Sequence, residues 1–307
     1  MIKITDFLII TSEEDIASMN VRTRLINSDL FKFKETELKW HDNSVFQLER
    51  VMSMKDRSPF FLENQIYLGL TTSPLIHLND LELDETNIAP DLLIFASRHR
   101  SETARPAFLT HITGNWSDIA DFGGNPRQLS HASAFLLKAG LWCLKQQLSF
   151  EHFSQFSDFS LDIEVTHHGP TTIEKPSIFM ELGSSEKEWS IEKAGELLAR
   201  ALIETCFKYL ELKSNEYTQI GVGFGGTHYA PQFKKLISEK NIAISFICPK
   251  YFLQELDKNM INQMLDNTLE NVDCFIIDWK GTNSADKQHL IPLLENFDIP
   301  IKKTKEF

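Results

Sequence analysis

The sequence predicts an α/β fold built on a mostly parallel mixed sheet. Nine short runs rich in Ile, Val, Leu and Phe alternate with segments of helical period, and cap or turn residues stand at several changeovers. The first strand spans Ile2 to Thr11. A helix follows from Ser12 to Ile26, where Ser12 and Asp15 have the spacing of a capping box. Strands are expected at Gln65 to Thr71, Leu92 to Ser97 and Phe108 to Gly114, then a helix from Leu129 to Leu148. Phe150 to Phe159 mixes aromatic and polar residues and suits a packed connection. Strands Leu161 to Thr166 and Ser177 to Leu182 lead into a helix over Ser190 to Lys213. Strand Gln219 to Gly225 precedes helix Pro231 to Lys240, with Pro231 at its first position. Strand Ile242 to Cys248, helix Leu253 to Glu270, strand Asp273 to Asp278, a turn at Gly281 and Asn283, and helix Ala285 to Phe297 complete the pattern. Lys302-Lys303-Thr304-Lys305 reads as a solvated tail. With no internal repeat and no Gly/Ser-rich linker, residues 1–307 are expected to form a single domain.

Composition narrows the function classes. Hydrophobic residues make up 42% and charged residues 24% of the 307, an ordinary globular balance. A formal charge of -12 disfavours wide, non-specific contact with a phosphate backbone, so a nucleic-acid partner needs a local basic patch. Cys143, Cys206, Cys248 and Cys274 form no CxxC pair, which points to reduced thiols and a cytoplasmic location. The longest apolar run, Ala132 to Leu144, is interrupted by Lys138 and too short to span a bilayer, so no membrane role is expected.

Five of ten histidines fall at expected strand ends: His99, His111, His167, His168 and His228. Imidazole binds divalent metals and exchanges protons near neutral pH, so such a cluster suits hydrolysis. His99 sits between Arg98 and Arg100 and is equally consistent with a basic, phosphate-facing loop. His111 lies inside a strand and could be a hydrogen-bonded core residue. On an extended strand His167 and His168 point to opposite faces, unless the chain bends at Gly169-Pro170. Glu164, Glu181 and Glu186 accompany the imidazoles, and histidine with carboxylate is the donor set of zinc-assisted hydrolysis. Gly221, Gly223 and Gly226 match GxGxxG, but the next strand ends in Pro249-Lys250 without the acidic residue a dinucleotide needs, which argues against nicotinamide or flavin. Arg98, Arg100 and Arg105, with Asn115 and Trp116, form the one local basic group. It could hold the single-stranded end of an RNA by arginine–phosphate pairing and indole stacking, or form surface ion pairs.

Taken together, Phe95-Ala-Ser-Arg-His-Arg-Ser101, Thr110-His-Ile-Thr-Gly-Asn-Trp116, Glu164-Val-Thr-His-His-Gly-Pro-Thr171, Glu181-Leu-Gly-Ser-Ser-Glu-Lys-Glu-Trp189 and Val222-Gly-Phe-Gly-Gly-Thr-His-Tyr-Ala-Pro231 resemble the archaeal and plant type of D-aminoacyl-tRNA deacylase. The resemblance implies a three-layer α/β/α sandwich of the phosphorylase/hydrolase type, zinc, a monomer, and hydrolysis of the ester between a D-amino acid and tRNA. The chain departs from the family in its acidity and in insertions such as Ser73 to Thr86. Within that expectation His167, His168, His99, His111 and Glu164 are candidate metal ligands, and His228, Glu181 and Glu186 candidate catalytic groups. Arg98, Arg100, Arg105, Asn115, Trp116 and Tyr229 are candidate substrate contacts. A metal-free route is also open, in which a ribose hydroxyl assists the attack and the amides of Gly225 and Gly226 stabilise the oxyanion. A different zinc hydrolase, a nucleoside phosphorylase, or a non-catalytic binder of RNA ends are the alternatives.

Overall fold

The computed structural model describes residues 4–51, 64–84, 86–214 and 217–307. Residues 2 and 3 of the expected first strand, and residue 85 of the Ser73–Thr86 stretch, lie outside these. In chain order the strands and helices are β1 (Phe7–Ser12), α1 (Ile16–Ile26), β2 (Phe31–Trp40), β3 (Asn43–Val51), β4 (Ile66–Thr71), β5 (Leu92–Arg100), β6 (Ala107–His111), α2 (Ala134–Ser149), β7 (Ser160–Ile163), β8 (Ser177–Ser184), α3 (Glu186–Trp189), α4 (Glu192–Lys213), β9 (Gln219–Phe224), α5 (Pro231–Glu239), β10 (Ile242–Cys248), α6 (Lys258–Asp266), β11 (Cys274–Ile277), α7 (Ser284–Leu294) and β12 (Ile301–Lys303).

An eight-stranded mixed sheet runs β2-β3-β4-β1-β5-β8-β6-β7, parallel through its centre. A second sheet, β10-β9-β11-β12, is parallel throughout. The large mostly parallel sheet is as expected; the division into two sheets is not, because strand patterning carries no information about which strands pair. All six residues of β1 are buried, as a central parallel strand covered on both faces requires. Phe7, Ile9, Leu92 and Ile94 pack with the apolar sides of α1 and α4, in a core that continues through α2 into Val222 and Ile244 of the small sheet. On the opposite face Leu8, Ile10, Leu93 and Phe95 are covered by Leu75, Leu78, Leu81 and Ile88.

The hairpin β2–β3 was not anticipated. Its strands alternate with many exposed positions, and its two-residue turn is His41-Asp42, both with positive φ (49° and 62°), so no glycine announces it. Helix starts shift for local reasons. Asp15, not Ser12, caps α1 by accepting the amide of Ser18 at 2.9 Å. Ser133 caps α2 by accepting from Leu136, so that helix begins five residues later than expected. The helix expected over Leu253 to Glu270 begins at Lys258, capped by Asp257, after a 3-10 segment at Lys250–Glu255. Pro231 opens α5 and Asn283 caps α7, in line with the sequence. Lys302 and Lys303 are not tail residues: they lie in β12, paired with Ile276 and Ile277.

Candidate active site between the two sheets

Strand register builds the floor of the site. Phe95, Ser97 and His99 of β5 stand beside Phe179, Glu181 and Gly183 of β8, and on the other side of β8 His111 of β6 stands beside Phe179. Paired residues share a face of a sheet, so one face carries two stacked phenyl rings, 4.5 Å between centroids, and next to them His99, His111 and Glu181. The same alternation sends Arg98 and Arg100 outward while His99 is buried. The segment read as a basic loop is therefore the end of a strand, with two exposed guanidinium groups and one inward imidazole. Gly183 makes this possible: a Cβ there would lie 2.9 Å from the His99 ring.

The chain leaving β7 crosses to the small sheet. Val165 donates its amide to the His228 carbonyl at 2.9 Å, and Thr166 exchanges hydrogen bonds with Ile247. His168 then takes a positive φ of 44°, and this bend brings both neighbouring histidines to the same place. The His167 and His168 rings are 4.5 Å apart and lie 4.3 and 4.8 Å from His111. His228, on the loop leaving β9, closes the group at 4.8 Å from His167.

Protonation follows from hydrogen bonding. His167 Nδ1 donates to the Val165 carbonyl at 2.8 Å and His168 Nδ1 to the Gly169 carbonyl at 2.6 Å. Burial, then the neighbouring His111, lowers both pKa values, His168 to about 4 and His167 well below the ordinary value. Both rings are neutral at pH 7, with bare Nε2 atoms. His99 behaves oppositely. Burial disfavours its charge, but Glu164 and Glu181, 3.4 and 3.2 Å from Nδ1, outweigh that and raise it to about 11. His111 is also raised, because Glu181 at 3.6 Å overcomes burial. The same contacts hold both buried carboxyls down against desolvation: His228 and His99 act on Glu164, His111 and His99 on Glu181. His228 Nε2 bonds Glu164 at 2.7 Å and its Nδ1 faces the Tyr251 hydroxyl at 3.3 Å.

Among the described residues three donor groups lie within metal-binding reach: His111 with His167 and His168; Glu164 with His167 and His228; His99 with Glu164 and Glu181. His99 Nε2 is buried without a hydrogen-bond partner, and His111 Nε2 and Glu164 Oε2 are buried with only the long ion-pair contacts of 3.6 and 3.4 Å, as expected of atoms that can serve a ligand. In the all-histidine group each Nδ1 is turned to a backbone carbonyl, the arrangement that fixes a metal-binding tautomer. The residues present fit a divalent metal.

Above this floor opens a cavity of about 1520 Å³, walled by Pro74–Ile76 on one side and by Ser184–Glu186 and Trp189 on another. Arg98 and Arg100 line its edge. Several expected contacts are engaged otherwise, although Asn115, Trp116 and Glu186 border the cavity. Trp116 is 1% exposed and its indole N–H donates to the Thr166 carbonyl at 2.7 Å, so no face is free to stack on a base. Asn115 spends its amide on the Gly123 and Asn125 carbonyls, shaping the loop. Arg105 is exposed and outside the cavity lining. Glu186 is exposed at the start of α3, on the rim rather than among the histidines. Gly225 and Gly226 donate their amides to Cys248 and Gly281, which rules out an oxyanion hole there. Tyr229 is partly exposed, its ring 5.3 Å from His228. Tyr251 was missed, since nothing in the sequence marks a lone tyrosine after a strand. The exposed Ile119 and Phe122 at the cavity mouth were also missed, although the turn Gly123-Gly124 beside them was a signal.

An α/β protein whose strand ends gather five imidazoles and two buried carboxylates around one cavity falls in the class of enzymes built for hydrolytic chemistry. Residues 86–302 match the model of the family described as D-aminoacyl-tRNA deacylase. The chain is 35% identical over 286 residues to the D-aminoacyl-tRNA deacylase of Thermococcus kodakarensis, covering 92% of this chain and 93% of that protein. It is 34% identical over 282 residues to that of Pyrococcus furiosus, with the same coverage of 92% and 93%. A crystal structure described as a conserved protein of unknown function superposes with a TM-score of 0.78 at 28% identity, over 100% of this chain and 97% of that one. The chain belongs to the D-aminoacyl-tRNA deacylase family.

Proposed function

We propose that the protein hydrolyses the ester joining a D-amino acid to the terminal adenosine of tRNA, releasing free amino acid and tRNA and so guarding translation against the wrong enantiomer. Beyond family membership, the observation that carries this is the pairing of bare His167 and His168 nitrogens with the Glu164–His228–Tyr251 relay around one cavity. His111, His167 and His168 would hold zinc. Bound there, zinc supplies a Lewis acid beside the ester carbonyl.

The chain's own residues account for the proton movements. Glu164 can only accept, so His228 carries its proton on Nε2 and presents Nδ1 as a base. Nδ1 takes the proton of the attacking water, directly or through the Tyr251 hydroxyl, and Glu164 stabilises the imidazolium so formed. The proton returns to the departing ribose oxygen. Glu181 keeps His99 charged and, from beside the ring, holds His111 in place. Arg98 and Arg100 face the phosphates of the entering 3′ end. Enantiomers differ only in placement, so selectivity is steric, set by the wall of the pocket. The core shared by both sheets supports reading the chain as one unit, and we place it as a monomer in the cytoplasm.

The test is release of amino acid from D-tyrosyl-tRNA and L-tyrosyl-tRNA, before and after chelation and with zinc restored. Selective release of the D form, lost on chelation and recovered with zinc, is expected. Chelator-resistant release would move the chemistry to assistance by a ribose hydroxyl, and no release from either ester would overturn the assignment.

A further inference from the structure

The chain carries a net charge of -12, yet its proposed substrate is a polyanion. Two arginines at the cavity edge serve a few terminal nucleotides and leave the rest of the RNA without a counterpart. A second cleft, of about 490 Å³, adjoins the large cavity and shares Tyr251 with it. It lies at the carboxyl ends of β9 to β11, with Lys250 and Lys280 on its edges and the start of α7 at one end. Next to Lys280, Trp279 packs against two more lysines, Lys287 Nζ at 4.5 Å and Lys303 Nζ at 4.2 Å from the ring centroid. None of these four lysines makes an ion pair with a described residue, whereas Lys193, Lys208 and Lys234 elsewhere do. The carboxylate in the cleft, Asp286, is engaged by the Gln254 amide at 2.9 Å.

We infer that Lys250, Lys280, Lys287 and Lys303 form a track for the phosphodiester backbone of the tRNA whose 3′ end enters the large cavity. This rests on the proposed deacylase reading and assigns the docking surface for the body of that substrate. Charge complementarity and continuity through Tyr251 select this face: four ammonium groups without an ion-pair partner among the described residues of an acidic protein, two of them braced against an indole, offer counter-charge to a phosphate backbone. The lysines read phosphate and not sequence, so the surface suits an enzyme that must accept many tRNAs.

The test compares wild type with Lys280→Gln, Lys303→Gln and the double variant, with Lys235→Gln on the exposed side of α5 as control. Binding of uncharged tRNA is measured as a function of salt, and deacylation is measured on D-tyrosyl-tRNA and on a D-tyrosyl ester of the terminal CCA trinucleotide. Each lysine removed should lower the slope of log affinity against log salt by about 1, and the double variant should lose roughly 10-fold or more in affinity at physiological salt. That loss should appear as a raised KM on tRNA, with no change on the trinucleotide. Salt slopes unchanged from wild type, or equal losses on both esters, would overturn the track, as would a wild type that does not bind tRNA. A wild type that binds tRNA with lysine-dependent slopes but cleaves neither ester would overturn the deacylase reading and leave the track standing.

Discussion

Replacing Glu164 by Gln tests whether the buried carboxylate works through His228. The side chain of Glu164 is inaccessible to solvent, bonds His228 Nε2 at 2.7 Å and lies 3.4 Å from His99. A charge-assisted hydrogen bond of this length contributes about 1.5–3 kcal/mol, and at 1.4 kcal/mol per decade its loss should slow single-turnover deacylation roughly 10- to 150-fold. Leaving His99 with one carboxylate should also cost about 3 kcal/mol of stability, read as a lower urea midpoint. The discriminating assay is the cycle with His228→Ala and the double variant. If Glu164 acts by holding His228 and stabilising the imidazolium as it forms, the double variant is no slower than His228→Ala, and the coupling is as large as the Glu164→Gln effect itself. Losses that multiply, with coupling below about 0.5 kcal/mol, would refute the relay and make Glu164 a structural or metal-binding group.

Four further outcomes follow from the packing. Zinc at 100 times its dissociation constant should stabilise the protein by about 2.7 kcal/mol, raising the melting temperature, and His168→Ala should abolish the rise. Gly225→Ala should destabilise by about 2–4 kcal/mol in denaturant titrations, because φ is +96° and the new Cβ would meet Thr282 Oγ1 at 2.1 Å. Trp116→Phe should cost about 1–3 kcal/mol of stability by leaving the buried Thr166 carbonyl unpaired, with KM for the tRNA ester unchanged; a raised KM would return the indole to the binding surface. Although burial opposes it, Lys193, His152 and Arg200 hold the Glu196 carboxyl down to about 2. A depressed acid stabilises above its unfolded value, near 4.5, and loses that contribution as pH falls toward 2. Glu196→Gln should therefore remove about 1 kcal/mol at pH 7 and little at pH 2, by urea midpoint.

The central strands and most helices were legible because β1, β5, β8, β9 and β10 are buried along nearly their whole length and so read as continuous apolar runs. The β2–β3 hairpin was not, since its half-exposed strands carry Lys and Glu at alternate positions and its turn has no glycine. The histidines were legible as a group, but their orientation was not. Whether His99 points inward depends on the register of β5 with β8, and whether His167 and His168 converge depends on a single backbone angle at His168. Trp116 shows the converse: an indole beside arginines has the composition of a stacking platform, and only packing reveals that Thr166 claims its N–H. The lysines of the second cleft are scattered between residues 250 and 303, and the fold alone gathers them.

The crossing from β7 to the small sheet has a consequence for maturation. Glu164 is buried beside the first sheet, but its closest partner, His228, lies 64 positions later, on a loop of the second. A chain emerging from the ribosome carries β1 to β8 before that imidazole exists, and Glu164 then has only His99 and His167 beside it. Burying a carboxylate without its full complement of partners costs several kcal/mol, so the burial of Glu164 is favoured only once the second sheet is in place. The contact proposed to serve the chemistry is thus also one that only the second sheet can complete. On the proposed relay, the site is complete only once translation has passed the second sheet.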